Sequence, residues 1–289
     1  MFKKMFSNNF NKIILIFIII FIILLFLTFF WFFYQPNRQM EVDFLDVGQG
    51  DAILIKTSGG QNVLIDGGPD RRIIKRLGEN LNWWDGQIDL MVLTHPHDDH
   101  VSGLIDVIKK YRVKKIIYSG VVSNSPNYLA WLKLVLDKKI NLTIINRPQI
   151  IKLSDGCQLE IIYPQESLLG LEMGNLNNSS LIIRMVYGKT KFLFVGDAEE
   201  QVEVKLLNSK VDLTADVLKV GHHGSDTSSG QRFLEKINPR IAVIEVGKDN
   251  TFGQPNLRII KRLERLGAKV LRTDQLGTIK LFSDQQKVY

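Results

Sequence analysis

From Ile13 to Phe33 the chain runs IILIFIIIFIILLFLTFFWFF, and Thr28 is its only polar residue. Nothing else in the sequence restricts the folded form so tightly. As a helix, this run of 21 residues reaches about 31 Å, the thickness of a hydrocarbon core, where only a helix or closed barrel satisfies the backbone. A core helix of a soluble protein would carry a polar stripe, and this run has none. A cleaved signal peptide would have a shorter apolar stretch and a small-residue cleavage site, and both are missing. Lys3, Lys4 and Lys12 precede the run, while Trp31 and Tyr34 lie at its far edge as interfacial aromatics. The expected organisation is a basic tail (1–12), a single-span anchor (13–34), a linker (35–40) and one domain (41–289). The positive-inside tendency places that domain on the extracytoplasmic side of the cell membrane, although Arg38 follows the span.

The formal charge of +7 suggests an anionic partner, but Lys3, Lys4, Lys12 and Arg38 supply four of those charges, and the first 40 residues hold no acid. The remainder is 7 − 4 = +3 for residues 41–289, compatible with a phosphate-bearing substrate and not a demand for one. Basic residues within Arg71–Arg76 and Arg258–Arg272 either line a phosphate path or form solvated helix faces. Cys157 is the only cysteine, so no intrachain disulfide forms, and it reads as a small apolar core residue.

Beyond the linker, apolar runs alternate between strand and helix periods. Strands are expected at Glu41–Val47, Ala52–Thr57 and Asn62–Ile65, paired antiparallel through Ser58-Gly59-Gly60. A helix is expected over Arg71–Leu81, with Ile73, Ile74 and Leu77 at helical spacing. The strand Ile88–Leu93 runs into Thr94-His95-Pro96-His97-Asp98-Asp99-His100, with a helix from Val101. Further strands (Lys115–Tyr118, Gln158–Ile162, Ser180–Tyr187, Lys191–Val195, Asp216–Val220, Ile241–Val246, Lys269–Thr273, Thr278–Phe282) are interleaved with helices at Asn127–Leu136, Glu199–Leu207 and Asn256–Leu266. The fold class is α/β (α+β): two sheets face to face with helices outside.

All five histidines lie in two groups, His95, His97 and His100 in one and His222 and His223 in the other. Each group follows an apolar strand. Residues two apart on an extended segment share a face, so His95 and His97 converge on one ion. Asp99 and His100, where the chain turns into a helix, project toward a second. Imidazole and carboxylate suit Zn²⁺, Mn²⁺ or Fe, and a structural zinc site would call for thiolates. Asp197, presented by Gly196 at a strand tip, is a candidate bridging carboxylate. In extended backbone His222 and His223 point apart, so at most one is expected on a given metal.

The pattern HxHxDH, then GD, then a strand-end HHG resembles the metallo-β-lactamase superfamily. More narrowly, residues 43–282 resemble the C-terminal hydrolase domain of the ComEC competence (DNA-uptake) family. The matching stretches are Phe44-Leu45-Asp46-Val47-Gly48-Gln49-Gly50-Asp51-Ala52, Leu64-Ile65-Asp66-Gly67-Gly68, the His95 motif, Asn177-Asn178-Ser179-Ser180-Leu181, Val195-Gly196-Asp197, Leu218-Lys219-Val220-Gly221-His222-His223-Gly224-Ser225 and Arg272-Thr273-Asp274. The resemblance implies an αββα sandwich and two divalent ions, Zn²⁺ or Mn²⁺, held by His95, His97, Asp99, His100, Asp197 and His223. It implies catalytic or substrate roles for Asp99, His222 and Ser225, and substrate contacts at Asn178 and Ser180.

Two departures stand out. Asn178 occupies a region where many superfamily members have a third imidazole, and Gly253-Gln254-Pro255 stands where related domains tend to show Gly-His-Pro. The polytopic channel region of full ComEC proteins has no counterpart here, and one helix cannot form a DNA pore, so a separate DNA-uptake channel is one candidate partner. The expected activity is metal-assisted phosphodiester hydrolysis with DNA as the first substrate. A small phosphodiester, such as a phosphorylcholine ester or cyclic dinucleotide, is the second. A non-catalytic metal-containing domain that binds nucleic acid or a partner is the third.

Overall fold

The computed structural model describes the backbone of residues 2–33, 39–82 and 84–289, with side chains over 12–31, 39–82 and 84–289. Most of the expected linker, Tyr34, and the side chains of the basic tail before Lys12 lie outside those residues. The chain divides into two compact units, Met1–Arg38 and Gln39–Tyr289. In the first, one helix, Phe2–Phe33, contains the apolar run. Among the described residues Lys12–Trp31 is the one segment long and apolar enough to cross a membrane, with none of it buried against protein.

The second unit is built on two seven-stranded sheets. The order in the first is Ile279–Ser283, Met40–Phe44, Ile53–Lys56, Asn62–Ile65, Leu90–Val92, Lys115–Tyr118, Asn141–Ile144. The second runs Lys269–Arg272, Ile241–Ile244, Val217–Lys219, Thr190–Phe194, Ile182–Tyr187, Gln158–Tyr163, Gln149–Lys152. Inner faces of both contribute to one apolar cluster, with Phe44, Ile55, Val92, Ile161, Phe192 and Phe194 among its members. Two further clusters lie between each sheet and its outer helices. Asn62–Ile65 and Leu90–Val92 are buried at every position, as expected of strands covered on both faces. The result is an αββα sandwich.

Each sheet pairs parallel strands beside its centre: Asn62–Ile65 with Leu90–Val92, and Thr190–Phe194 with Val217–Lys219. Their carboxyl ends deliver the Asp66, His95, Asp197 and His222–His223 segments to the same edge of the sandwich. The expected antiparallel pairing across 40–65 is found.

Several boundaries move. The helix expected from Val101 spans Asp98–Lys110, so Asp99 and His100 stand on its first turn. Acids there and Lys109 and Lys110 in the last turn complement the helix dipole. The strands Asn141–Ile144 and Gln149–Lys152 add to those expected; both are edge segments with no fully buried residue, the first half-buried and the second largely exposed. The helix Gln231–Ile237 is only seven residues long, too short for its period to register.

Candidate metal centre

The helix Asp98–Lys110 reaches the site because it packs on bare backbone. A Cβ on Gly103 would overlap the carbonyl oxygen of Gly67, so only glycine permits that approach. The Gly67 amide then donates to the His100 carbonyl (2.9 Å), and the Gly103 amide to that of Gly68 (3.0 Å). His100 is thereby set against Asp66, whose Oδ2 lies 2.8 Å from His100 Nδ1. Asp66 also accepts from the Thr94 amide (2.8 Å) and hydroxyl (2.6 Å), which fixes the segment carrying His95.

One carboxylate oxygen, Asp197 Oδ2, is the focus. His100 Nε2 lies 3.3 Å from it, His223 Nε2 3.4 Å, His222 Nε2 3.9 Å and His95 Nε2 4.0 Å. His97 Nδ1 is 3.0 Å from His95 Nε2, and Asp99 Oδ2 is 3.2 Å from His223 Nε2. Ligand atoms of Asp99, His100, Asp197 and His223 all fall within 4.8 Å of one another. His100 Nε2 and Asp197 Oδ1 are buried without a hydrogen-bond partner. Two unpartnered buried polar atoms amid converging imidazoles are costly unless a cation joins them, so the donor set fits a divalent metal.

The electrostatics agree. Burial alone would depress the pKa of His100, but Asp197, Asp99 and Asp66 raise it well above the usual imidazole value. His223 behaves alike beside Asp197 and Asp51. His95 is driven well below its usual value by burial and by the nearby His100. Burial opposes the charge on Asp197, yet His223 and His100 hold its pKa well below the usual carboxylate range. Imidazoles that attract protons this strongly sit in a field that favours cations, and a metal must displace those protons to bind.

The histidine pair departs from expectation. His222 and His223 both adopt left-handed backbone, φ 48° and 53°, not the extended form that would aim them apart. Both imidazoles therefore approach Asp197, with ring centroids 6.2 Å apart. His223 Nδ1 is 2.8 Å from the Glu245 carbonyl, and His222 Nδ1 is 3.0 Å from Thr227 Oγ1. Gln254 donates to the His222 carbonyl (3.2 Å) and accepts from Gln49 (2.7 Å).

The other expected contacts have these partners. Asn178 is buried, its Oδ1 accepting from the Glu199 amide (3.1 Å) and its Nδ2 donating to Gln201 (3.0 Å). Ser180 Oγ accepts from the Asp197 amide at 3.1 Å and is fully buried, which makes it a support for Asp197. Ser225 Oγ lies 3.1 Å from Thr227 Oγ1 near the surface. Several of the basic residues singled out as a phosphate path are paired with acids: Arg72 with Asp70 and Arg76 with Asp46 on one helix, and Arg272, at the end of a strand, with Asp274.

Sequence reasoning did not single out the support layer. Lys219 is fully buried, paired with Asp51 Oδ2, and Asp51 Oδ1 lies 3.3 Å from His223 Nδ1. Glu245 accepts from the Ala52 amide at 3.0 Å, and burial followed by the charge of Asp51 raises its pKa well above the usual value. The signal available for Lys219 was a cation inside an apolar strand, and for Asp66 an acid directly after one.

A sequence model described as the metallo-beta-lactamase superfamily matches residues 45–247. The chain belongs to that superfamily. Among curated relatives, ComE operon protein 3 of Bacillus subtilis (strain 168) is 29% identical over 257 residues, covering 83% of this chain and 32% of that protein. Recombination protein 2 of Haemophilus influenzae is 28% identical over 258 residues, 86% of this chain and 30% of that protein. Both are ComEC-family competence proteins, and this metallo-β-lactamase chain spans about a third of their length. Among solved structures, Igni18, a metallo hydrolase of Ignicoccus hospitalis, superposes with TM-score 0.51 at 13% identity, covering 84% of this chain and 98% of that one, a likeness of fold.

Proposed function

We propose that this chain is a membrane-anchored, two-metal hydrolase of phosphodiesters, with DNA as its leading substrate and the catalytic domain extracytoplasmic. The observation that carries this reading is the position of Asp197 Oδ2, which has the Nε2 atoms of His100, His223 and His95 around it at 3.3–4.0 Å. A carboxylate so placed is suited to join two cations. His95, His97 and Asp197 would hold one, and Asp99, His100, His223 and Asp197 the other. Bound Zn²⁺ or Mn²⁺ would supply a hydroxide near neutral pH and Lewis-acid stabilisation of phosphoryl oxygens.

The remaining roles fall to the chain itself. The Asp99 side chain is one-third exposed, which suits it to orient the nucleophile or take its proton. His222 turns Nδ1 toward Thr227 and leaves Nε2 facing the cluster, a position from which it contacts phosphate or protonates a leaving oxygen. Ser225 lies beside it as a second contact. Asn178 and Ser180 serve by holding Glu199 and Asp197. A partner channel for DNA is part of the same proposal, supported by the similarity to competence proteins.

The test joins metal analysis of the purified chain to hydrolysis of linear DNA, a cyclic dinucleotide and a phosphorylcholine ester with Zn²⁺ and with Mn²⁺. Cleavage of DNA with two bound ions supports the first reading. Turnover confined to the small esters selects the second. The position of Asn178, turned toward Glu199 and Gln201, favours a third reading, a non-catalytic metal-binding domain. Bound metal with no hydrolysis of any substrate would select it.

A further inference from the structure

The strands that carry the metal ligands have a second end, and its surface differs from the first. Leu90–Val92, Lys115–Tyr118 and Asn141–Ile144 run parallel toward the metal centre. Their amino ends therefore lie at the opposite edge of the sandwich, where the chain turns at Tyr111–Lys114 and Lys138–Ile140. A groove of about 630 Å³ opens there, lined by Arg112, Lys114, Lys138, Lys139, Tyr111 and Asn141. Arg112, Lys138 and Lys139 are exposed, as are Lys109 and Lys110 on the last helical turn beside them. Lys114 is paired with Asp89 at 2.7 Å, and Asp137 is an exposed acid close by, so the cations outnumber the acids.

An aromatic residue completes the face. Trp84 is 56% exposed and lies two residues before Gly86, whose carbonyl accepts from the Arg112 amide at 2.8 Å. Leu136, at the end of the neighbouring helix, is 62% exposed. Exposed tryptophan beside clustered lysine and arginine is the chemistry of a lipid headgroup layer, with an amphipathic ring at the interface and cations on phosphate.

Topology supplies the second argument. Met40–Phe44 is antiparallel to Ile53–Lys56, which is antiparallel to Asn62–Ile65. Met40 therefore starts at this same edge. Along the sheet, Asn141–Ile144 lies five strands from Met40–Phe44, about 24 Å. The basic face therefore lies on the same edge as the first strand of the domain, and about five strands along it.

We propose that this basic, Trp84-bearing face docks on an anionic lipid surface and holds the metal centre away from the membrane. The proposal rests on the membrane-anchored reading given above. A nucleic-acid strand is the less suitable occupant. The helix Asp98–Lys110, of 13 residues, places the groove about 20 Å from the cluster at its other end, too far for a bound strand to reach both without bending around the domain.

The experiment uses the full chain in nanodiscs of neutral phosphatidylcholine and of discs containing phosphatidylglycerol, followed by hydrogen exchange. Exchange over 84–88, 109–114 and 137–141 is expected to slow at least about fivefold in the anionic discs, the gain one cation near such a surface provides. The effect should vanish in high salt and in the Lys138→Glu/Lys139→Glu variant, with exchange elsewhere and phosphodiester turnover unchanged. Equal exchange in both discs, with the chain inserted in each, overturns the docking proposal and leaves the anchor standing. Extraction of the chain from either disc by alkaline carbonate overturns the anchor itself. Protection of the same segments by a DNA duplex in neutral discs overturns the choice of occupant.

Discussion

Replacing Asp66 with Asn tests the support layer while leaving every proposed ligand in place. The carboxylate accepts three hydrogen bonds, from the Thr94 amide, the Thr94 hydroxyl and His100 Nδ1. An asparagine cannot reproduce them in either orientation. With its oxygen toward His100, its NH₂ meets the Thr94 N–H, donor against donor. Flipped, the NH₂ meets His100 Nδ1 and forces the proton onto Nε2, the atom that faces Asp197 at 3.3 Å. The first case leaves a buried donor unpaired, a cost of about 1–3 kcal/mol in stability. The second removes the lone pair that a metal needs, and loss of such an outer partner weakens metal binding about 10–100-fold. Competition titration against a fluorescent chelator reads the affinity, and urea denaturation of the metal-free chain reads the stability. Thr94→Val, which keeps the His100 contact, should lower metal affinity much less. Metal affinity and stability both within about twofold of the wild type in Asp66→Asn would refute the tautomer argument.

Other expectations follow from single contacts. Asp197→Ala removes the oxygen that the imidazoles share; at least one metal equivalent should be lost by elemental analysis, and phosphodiester turnover should fall more than about a hundredfold, beyond the range of outer-partner changes. Glu203 is pushed up to about 7 by burial, against its usual 4.5. With the folded pKa the higher, its contribution to stability is present below about pH 4.5 and lost as pH rises through 7, up to about 3 kcal/mol for 2.5 units. The stability difference between wild type and Glu203→Gln should therefore drift toward the variant from pH 5 to pH 9, and a constant difference in chemical denaturation would contradict it. Trp131 is fully buried with Nε1 unpaired, so Trp131→Phe should cost far less than Trp131→Ala, which opens a cavity worth about 3–5 kcal/mol by thermal denaturation.

Much of this site was legible because its ligands follow apolar strands. Leu90–Val92, Thr190–Phe194 and Val217–Lys219 each announce a tip, and the histidines and Asp197 sit just past them. Backbone conformation was harder to read. Nothing in the composition of His222-His223 marks the left-handed turn that aims both rings at Asp197; tertiary contacts hold it, including the bond from Gln254 to the His222 carbonyl. The substrate contacts expected at Asn178 and Ser180 rested on position in a motif, and a motif does not say whether a hydroxyl faces a cleft or a backbone amide. Ser180 faces the amide of Asp197.

The support layer was the least legible part, for a physical reason. Asp51, Asp66, Lys219 and Glu245 are almost completely buried, and each is isolated in sequence among apolar or glycine neighbours. A lone charge in an apolar strand is a liability until its partner is known, and for Lys219 and Glu245 the partner comes from the other sheet: Lys219 from the second meets Asp51 from the loop after Met40–Phe44, and Glu245 meets the Ala52 amide. Those two sheets also contribute the two histidine groups. The pairing that neutralises Lys219 therefore ties together the same halves that must stay in register for the His95 and His223 groups to share Asp197. A buried ion pair adds little net stability against an apolar substitute. What Asp51–Lys219 supplies is alignment, so replacing both partners with apolar residues, as in Asp51→Leu/Lys219→Met, should perturb metal affinity more than it perturbs unfolding free energy, whereas Lys219→Met alone strands the buried Asp51 charge and should cost about 3–5 kcal/mol.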